Sequence, residues 1–137
     1  MKNKCYKRLT IDVPGVARTK KNSSRIINRK VNGKLIPMVI PSKAFTEYQE
    51  LCGWHIRPKG IKIDYPVNVK CLFYMPNRRR VDLVNLLESI CDILVHYEVL
   101  KDDDCKIVVG HDGSRVLLDR ENPRTKIVIE AVDEETL

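Results

Sequence analysis

The stretch LVNLLESICDILVHYEV, residues 83–99, decides the fold. Leu83, Leu86, Leu87, Ile90 and Leu94 recur at the 3.6-residue period of a helix, and Asn85, Ser89, Asp92 and His96 form a polar stripe opposite. Asp82 stands where an N-cap belongs, so a helix is expected over 83–99. Just upstream, PVNVKCLFYM (66–75) alternates Val67, Val69, Cys71 and Phe73 on one side, a strand ended by Pro76. Downstream come an acidic turn (101–104), a strand at 107–109, the turn His111-Asp112-Gly113-Ser114, and a return strand at 115–118. Asn122-Pro123 marks a turn before a last strand at 125–132, and the tail 133–137 is expected to fray.

The first half reads with less contrast. Leu9, Ile11 and Val13 alternate with polar neighbours up to Pro14-Gly15, which predicts a strand over 7–13. Residues 18–34 are rich in Lys, Arg, Asn and Ser and contain Asn32-Gly33, the composition of a basic loop or hairpin. Ser42 as N-cap, followed by Phe45, Tyr48, Leu51 and Cys52, predicts a short helix closed by Gly53 or Pro58. Strands interleaved with two main helices imply an α+β fold, a single domain over 1–137 in which the helices pack on a mixed β-sheet.

The 137 residues suit one core, and 43% apolar with 31% charged residues is the balance of a globular chain. No apolar run reaches the roughly 18 residues of a membrane span, which leads us to expect a cytoplasmic protein with no membrane partner. Five cysteines without a CxxC pair suggest reduced thiols; Cys52 and His55 form a C-x-x-H, but with no second pair they do not make a structural zinc site. His96 and His111 each stand alone and read as surface or capping residues.

Charge is divided along the chain. Residues 1–80 hold 19 Lys and Arg against 4 Asp and Glu, whereas 81–137 hold 6 against 14. A basic surface beside an acidic site suits a polyanion together with cations. In the segment MPNRRRVDLVNLLESICDILVHYEVLKDDDCKIV (75–108), Arg78, Arg79 and Arg80 lead into Asp82, and Asp102 to Asp104 follow the same helix. Carboxylates holding Mg²⁺ or Mn²⁺ supply what phosphodiester hydrolysis needs, an activated water and relief of phosphate charge. Arginines beside them can hold the DNA backbone bidentately. The bland alternative is a capped helix followed by an acidic turn.

The segment resembles the signature of the RusA family, an arginine run, Asp-x-Asp-Asn-Leu, a helix, and a pair of aspartates after it. Pro76, Arg78, Arg79, Arg80, Asp82, Leu83, Asn85, Leu86, Asp92, Asp102 and Asp103 carry the match, over about a quarter of the chain. The resemblance implies a homodimeric, metal-dependent endonuclease that recognises four-way (Holliday) junctions and nicks opposing strands, in recombination and repair and often of prophage origin. It implies Asp82 and Asp103 as metal-binding carboxylates, with Asp102 beside the second, and Mg²⁺ or Mn²⁺ as cofactor. Arg78, Arg79 and Arg80, with Lys20, Lys21 and Arg25 of the basic arm, would contact DNA.

Two positions depart from the pattern. The second aspartate of Asp-x-Asp falls on Val84, which cannot bind metal, and the helical lysine falls on Glu88. Residues 84 and 88 lie one helical turn apart, so the longer Glu88 can reach the place left empty at 84. The expected catalytic set is therefore Asp82, Glu88 and Asp103, with Lys101 or Lys106 for a cationic role. The rival reading is a DNA-binding protein that recognises branched or duplex DNA but has lost cutting through Val84. A basic RNA-binding domain is weaker, because no aromatic-rich strand offers base stacking.

Overall fold

The computed structural model describes residues 5–20, 25–40 and 42–137. Lys21 and the side chain of Arg25, both expected to contact DNA, lie outside the described residues. Among the described residues, seven strands and two helices follow in the order β1 (Arg8–Pro14), β2 (Arg25–Val31), β3 (Lys34–Ile40), α1 (Lys43–His55), β4 (Val67–Met75), α2 (Leu83–His96), β5 (Val108–Gly110), β6 (Arg115–Leu118) and β7 (Arg124–Ala131). The main sheet runs β1-β7-β4-β5, with β6 also on β4. β7 is antiparallel to both β1 and β4, while β5 and β6 are parallel to β4, so the sheet is mixed as expected.

One face of that sheet is apolar because the strands alternate. Ile11 and Val13 of β1, Thr125, Ile127 and Ile129 of β7, and Val67, Val69, Cys71 and Phe73 of β4 are all buried. All of these but Thr125 form one cluster with Phe45, Tyr48 and Cys52 of α1 and with Leu86, Leu87, Ile90, Ile93 and Leu94 of α2. Thr125 is a polar residue in that face, and its Oγ1 lies 2.8 Å from the Tyr48 hydroxyl, so α1 is tied to the sheet by a buried hydrogen bond. Ser42 caps α1 by accepting from the Phe45 N–H at 3.1 Å. The helix runs through Gly53 to His55 instead of stopping there, and position 53 is a glycine because the Tyr97 ring occupies the space a Cβ would need.

Three expectations change. The helix over 83–99 ends at His96, because Glu98 takes a positive φ of 57° and the Val99 N–H turns back to the Leu94 carbonyl at 2.9 Å. The segment 115–118 is not the return arm of a hairpin: the turn at 111–114 advances the chain along β4 without reversing it, so β5 and β6 lie on the same side of β4 and both parallel to it. Side chains fill the gap between them, with the Ser114 Oγ accepting from the Cys71 N–H at 3.0 Å and His111 Nδ1 hydrogen-bonded to the Val69 carbonyl at 2.8 Å. The tail, expected to fray, forms a 3-10 turn over Glu134–Thr136 capped by Asp133.

The basic segment is a hairpin that extends further than its charged residues. β2 and β3 pair antiparallel through Asn32 and Gly33, both at positive φ (51° and 79°), the geometry of a type I′ turn. This two-stranded ribbon forms a sheet of its own.

Candidate active site

Asp82 is the N-cap of α2, its Oδ1 accepting from the Val84 N–H at 3.0 Å and the Asn85 N–H at 3.4 Å. The arginine run just before it opens onto a depression lined by Arg18, Thr19, Pro76, Arg79, Arg80 and Val81. Arg78 and Arg80 also line a neighbouring depression against Val116 and Leu118 of β6. The tight loop is set locally, with the Arg79 N–H donating to the Asn77 Oδ1 at 3.0 Å. A cationic surface therefore borders the N-terminus of α2, where the helix dipole adds positive potential.

Three turns further along α2 lies a different cluster. Asp92 pairs with Lys20, whose Nζ stands 3.9 Å from the Asp92 Oδ2. The Asp92 carboxyl is held above the ordinary carboxylate range, first by desolvation and then by the negative charges of Asp103 and Glu88; Lys20 opposes this without cancelling it. Burial pushes the neighbouring Cys91 thiol up to about 12, and Asp103 and Asp92 add to the effect. The acidic turn after α2 thus lies near enough to the helix for the charge of Asp103 to act on both Cys91 and Asp92.

Within that turn the three aspartates divide the work. Asp102 Oδ1 accepts from the Asp103 N–H at 2.7 Å, and Asp104 Oδ1 from the Lys106 N–H at 2.9 Å. Among the described residues the Asp103 carboxylate takes no hydrogen bond or ion pair, which leaves its oxygens available. Glu88 lies one helical turn from Asp92 and the charge of Asp103 also acts on Asp92, while Asp82 lies ten residues down the helix, about 15 Å along its axis. Among the described residues no three His, Cys, Asp or Glu side chains close around one point in the manner of a preformed metal cage. Val84 is 68% exposed at the foot of the same stripe, one turn below Glu88.

Sequence reasoning placed Asp92 in the signature but not in the site, and it passed over Ser89 and Arg18. The signal for the first two was present, since Asn85, Ser89, Asp92 and His96 make a polar stripe on an otherwise apolar helix. Ser89 is buried, with the Lys20 N–H donating to its Oγ at 3.0 Å. The Cys52 thiol is also buried and raised to about 12, that of an unreactive core residue. All five cysteines are free thiols, Cys52, Cys71 and Cys91 buried and Cys5 and Cys105 exposed. No helix among the described residues is long and apolar enough to cross a membrane.

Residues 14–130 match the protein family described as Endodeoxyribonuclease RusA. A curated relative, the crossover junction endodeoxyribonuclease RusA of Aquifex aeolicus (strain VF5), is 34% identical over 61 residues, which are 43% of this chain and 48% of that protein. The chain thus spans about half the length of the curated relative it matches.

Proposed function

The chain belongs to the RusA family, and from that premise we propose that it is a metal-dependent endonuclease that nicks four-way DNA junctions in recombination and repair. The observation that supports this reading is the placement of acids and cations on one helix: Asp82 caps the N-terminus of α2 beside a depression lined by Arg18, Arg79 and Arg80, and Asp92 further along the helix pairs with Lys20 at 3.9 Å. Oxygen-only donors fit Mg²⁺ or Mn²⁺. Mg²⁺ takes one or two protein carboxylates and fills its octahedron with water and substrate phosphate oxygens, so a complete protein cage is not required.

Asp92 and Asp103 would hold the ion, with Glu88 one turn from Asp92 and Asp102 beside Asp103 as further oxygen donors. The ion, when bound, supplies charge neutralisation at the phosphate and activation of the attacking water. Arg78, Arg79, Arg80 and Arg18 hold the backbone by charge-assisted hydrogen bonds and offset its repulsion by the acids. Lys20 balances Asp92 and limits the mutual repulsion of the three carboxylates. Asp82 orients the start of α2 and, next to Arg80, can extend the carboxylate surface toward the arginines. Nicking two opposing strands calls for two such sites, which a two-fold homodimer provides.

A second reading, a junction-binding protein that no longer cuts, draws on the exposed Val84 and on the open arrangement of the acids. Incubating the full chain with a labelled four-way junction in Mg²⁺ or Mn²⁺ separates the two. We expect nicking by the unmodified chain, and retarded but intact DNA with Asp92→Asn or Asp103→Asn. Retardation without nicking by the unmodified chain in either metal would establish the second reading.

A further inference from the structure

The ribbon β2–β3 takes no part in the chemistry described above, yet its surface is unusual. Between residues 25 and 40 the sequence carries Arg25, Arg29, Lys30 and Lys34 and no Asp or Glu. Partners directly opposite in an antiparallel pair share a face, and faces alternate along each strand. Ile26 with Val39, Asn28 with Pro37 and Lys30 with Leu35 make one face; Ile27 with Met38, Arg29 with Ile36 and Val31 with Lys34 make the other. On the first, Ile26, Leu35 and Val39 are 71, 69 and 70% exposed; on the second, Ile27, Val31 and Ile36 are 40, 39 and 44% exposed. The first face is open to water and carries Ile26, Leu35 and Val39 together with Asn28 and Lys30. The second carries Arg29 and Lys34 among Ile27, Val31, Ile36 and Met38, which their stems can shield.

An isolated two-stranded hairpin is marginal in water, and an uncovered apolar face of this kind marks a contact surface. Each face measures about 24 by 10 Å from strand rise and spacing. That is roughly 240 Å², less than a third of the ~800 Å² that each partner contributes to a stable protein interface. Phosphate contacts need no such area, because counterion release supplies the affinity, and four cations without an acid complement a polyanion. A ribbon about 10 Å wide also enters a groove of about 12 Å. A linear duplex can satisfy the cations but offers nothing to Ile26, Leu35 and Val39, because its base pairs are stacked on one another. A branch point offers phosphates on one side and, on the other, the flat apolar surfaces of the base pairs where the arms part, against which aliphatic side chains act as wedges.

We propose that the β2–β3 ribbon enters the branch point of branched DNA, with Arg29 and Lys34 against phosphates and Ile26, Leu35 and Val39 against the base pairs that flank the branch. This rests on the DNA reading above and adds the element that tells a branch from a duplex.

The test measures anisotropy of the full chain with a four-way junction and with a linear duplex of the same sequence, without divalent metal. For the triple variant Ile26→Ser, Leu35→Ser, Val39→Ser, junction affinity should fall about tenfold, as expected for lost contacts to base faces, with duplex affinity changed less than about twofold. A 2-aminopurine beside the branch should brighten with the unmodified chain and not with this variant. Arg29→Gln with Lys34→Gln should weaken both DNAs and reduce the slope of log K against log salt by about 2, at roughly 0.9 per phosphate contact. The inference is overturned if the triple variant keeps the junction preference, or loses both DNAs equally. It is overturned too if sedimentation shows the triple variant shifted from dimer to monomer, which would assign the face to a second copy. If the unmodified chain binds neither DNA, the proposed function falls and this inference with it; if it nicks junctions while the triple variant retains the preference, only the inference falls.

Discussion

The backbone N–H of Lys20 donates to the Oγ of Ser89 at 3.0 Å, joining the root of the basic arm to the middle of α2 across 69 positions of sequence. The same lysine reaches Asp92 with its ammonium, so one residue is fixed at both ends to the acidic helix face. Ser89→Ala should destabilise the fold by about 1–3 kcal/mol, the cost of leaving a part-buried N–H without its acceptor. Urea unfolding measures it; a loss within error would mean that water replaces the hydroxyl.

Lys20→Met removes the cation that competes with any metal for Asp92. A half-exposed ion pair is worth about 0.2–1 kcal/mol, so Mn²⁺ should bind up to about fivefold more tightly by calorimetry while nicking falls. Weaker Mn²⁺ binding would count against Asp92 as a ligand.

Asp82 offers a way to separate capping from chemistry. Asn caps nearly as well as Asp, whereas Ala forfeits about 0.5–2 kcal/mol. Asp82→Asn should therefore keep the unfolding midpoint that Asp82→Ala lowers. Lost nicking in a stable Asp82→Asn chain would make its charge part of the reaction, and retained nicking would confine Asp82 to the helix start.

Asp92 carries a pH signature. Its folded-state pKa is raised, first by desolvation, so the folded chain binds that proton more tightly than the unfolded chain does. The associated stability is present in acid and is lost as pH rises from the ordinary carboxylate range through the raised value. Asp92→Asn should accordingly raise the unfolding temperature at pH 7 and give no gain near pH 3. A lower melting point at pH 7 would mean that the Lys20 pair outweighs desolvation.

Tyr48→Phe tests the sheet face behind the site. It strips Thr125 of its buried partner at 2.8 Å, and a loss of about 1–3 kcal/mol is expected. An unchanged denaturation midpoint would show that Thr125 finds another acceptor or donor.

The readable parts of this fold are those where one face is buried and the other is not. β4 alternates buried and half-buried residues without exception, and α2 keeps its leucine and isoleucine stripe, so periodicity alone locates both. The pairing of β5 and β6 was hidden because three- and four-residue strands carry too little pattern to declare direction, and a turn that advances the chain uses the same Asp-Gly residues as one that reverses it. β3 escaped notice because KLIPMVI exposes both faces, leaving no contrast for period two to reveal. For the site, the signature residues were legible one by one, whereas the influence of Asp103 on Asp92 depends on the course of the turn after α2. Ser89 looked like a surface polar residue because nothing in the helix itself announces that the Lys20 N–H will donate to it.

The interruption between β5 and β6 has a consequence for how copies of this chain behave when concentrated. Neither fragment offers a long, straight row of unpaired amides and carbonyls, so that margin of the sheet is a poor template for a neighbour's strand and resists runaway stacking into fibrils. Deleting the turn at 111–114 so as to fuse the two fragments would lengthen the margin into such a template, and precipitation would be its visible mark.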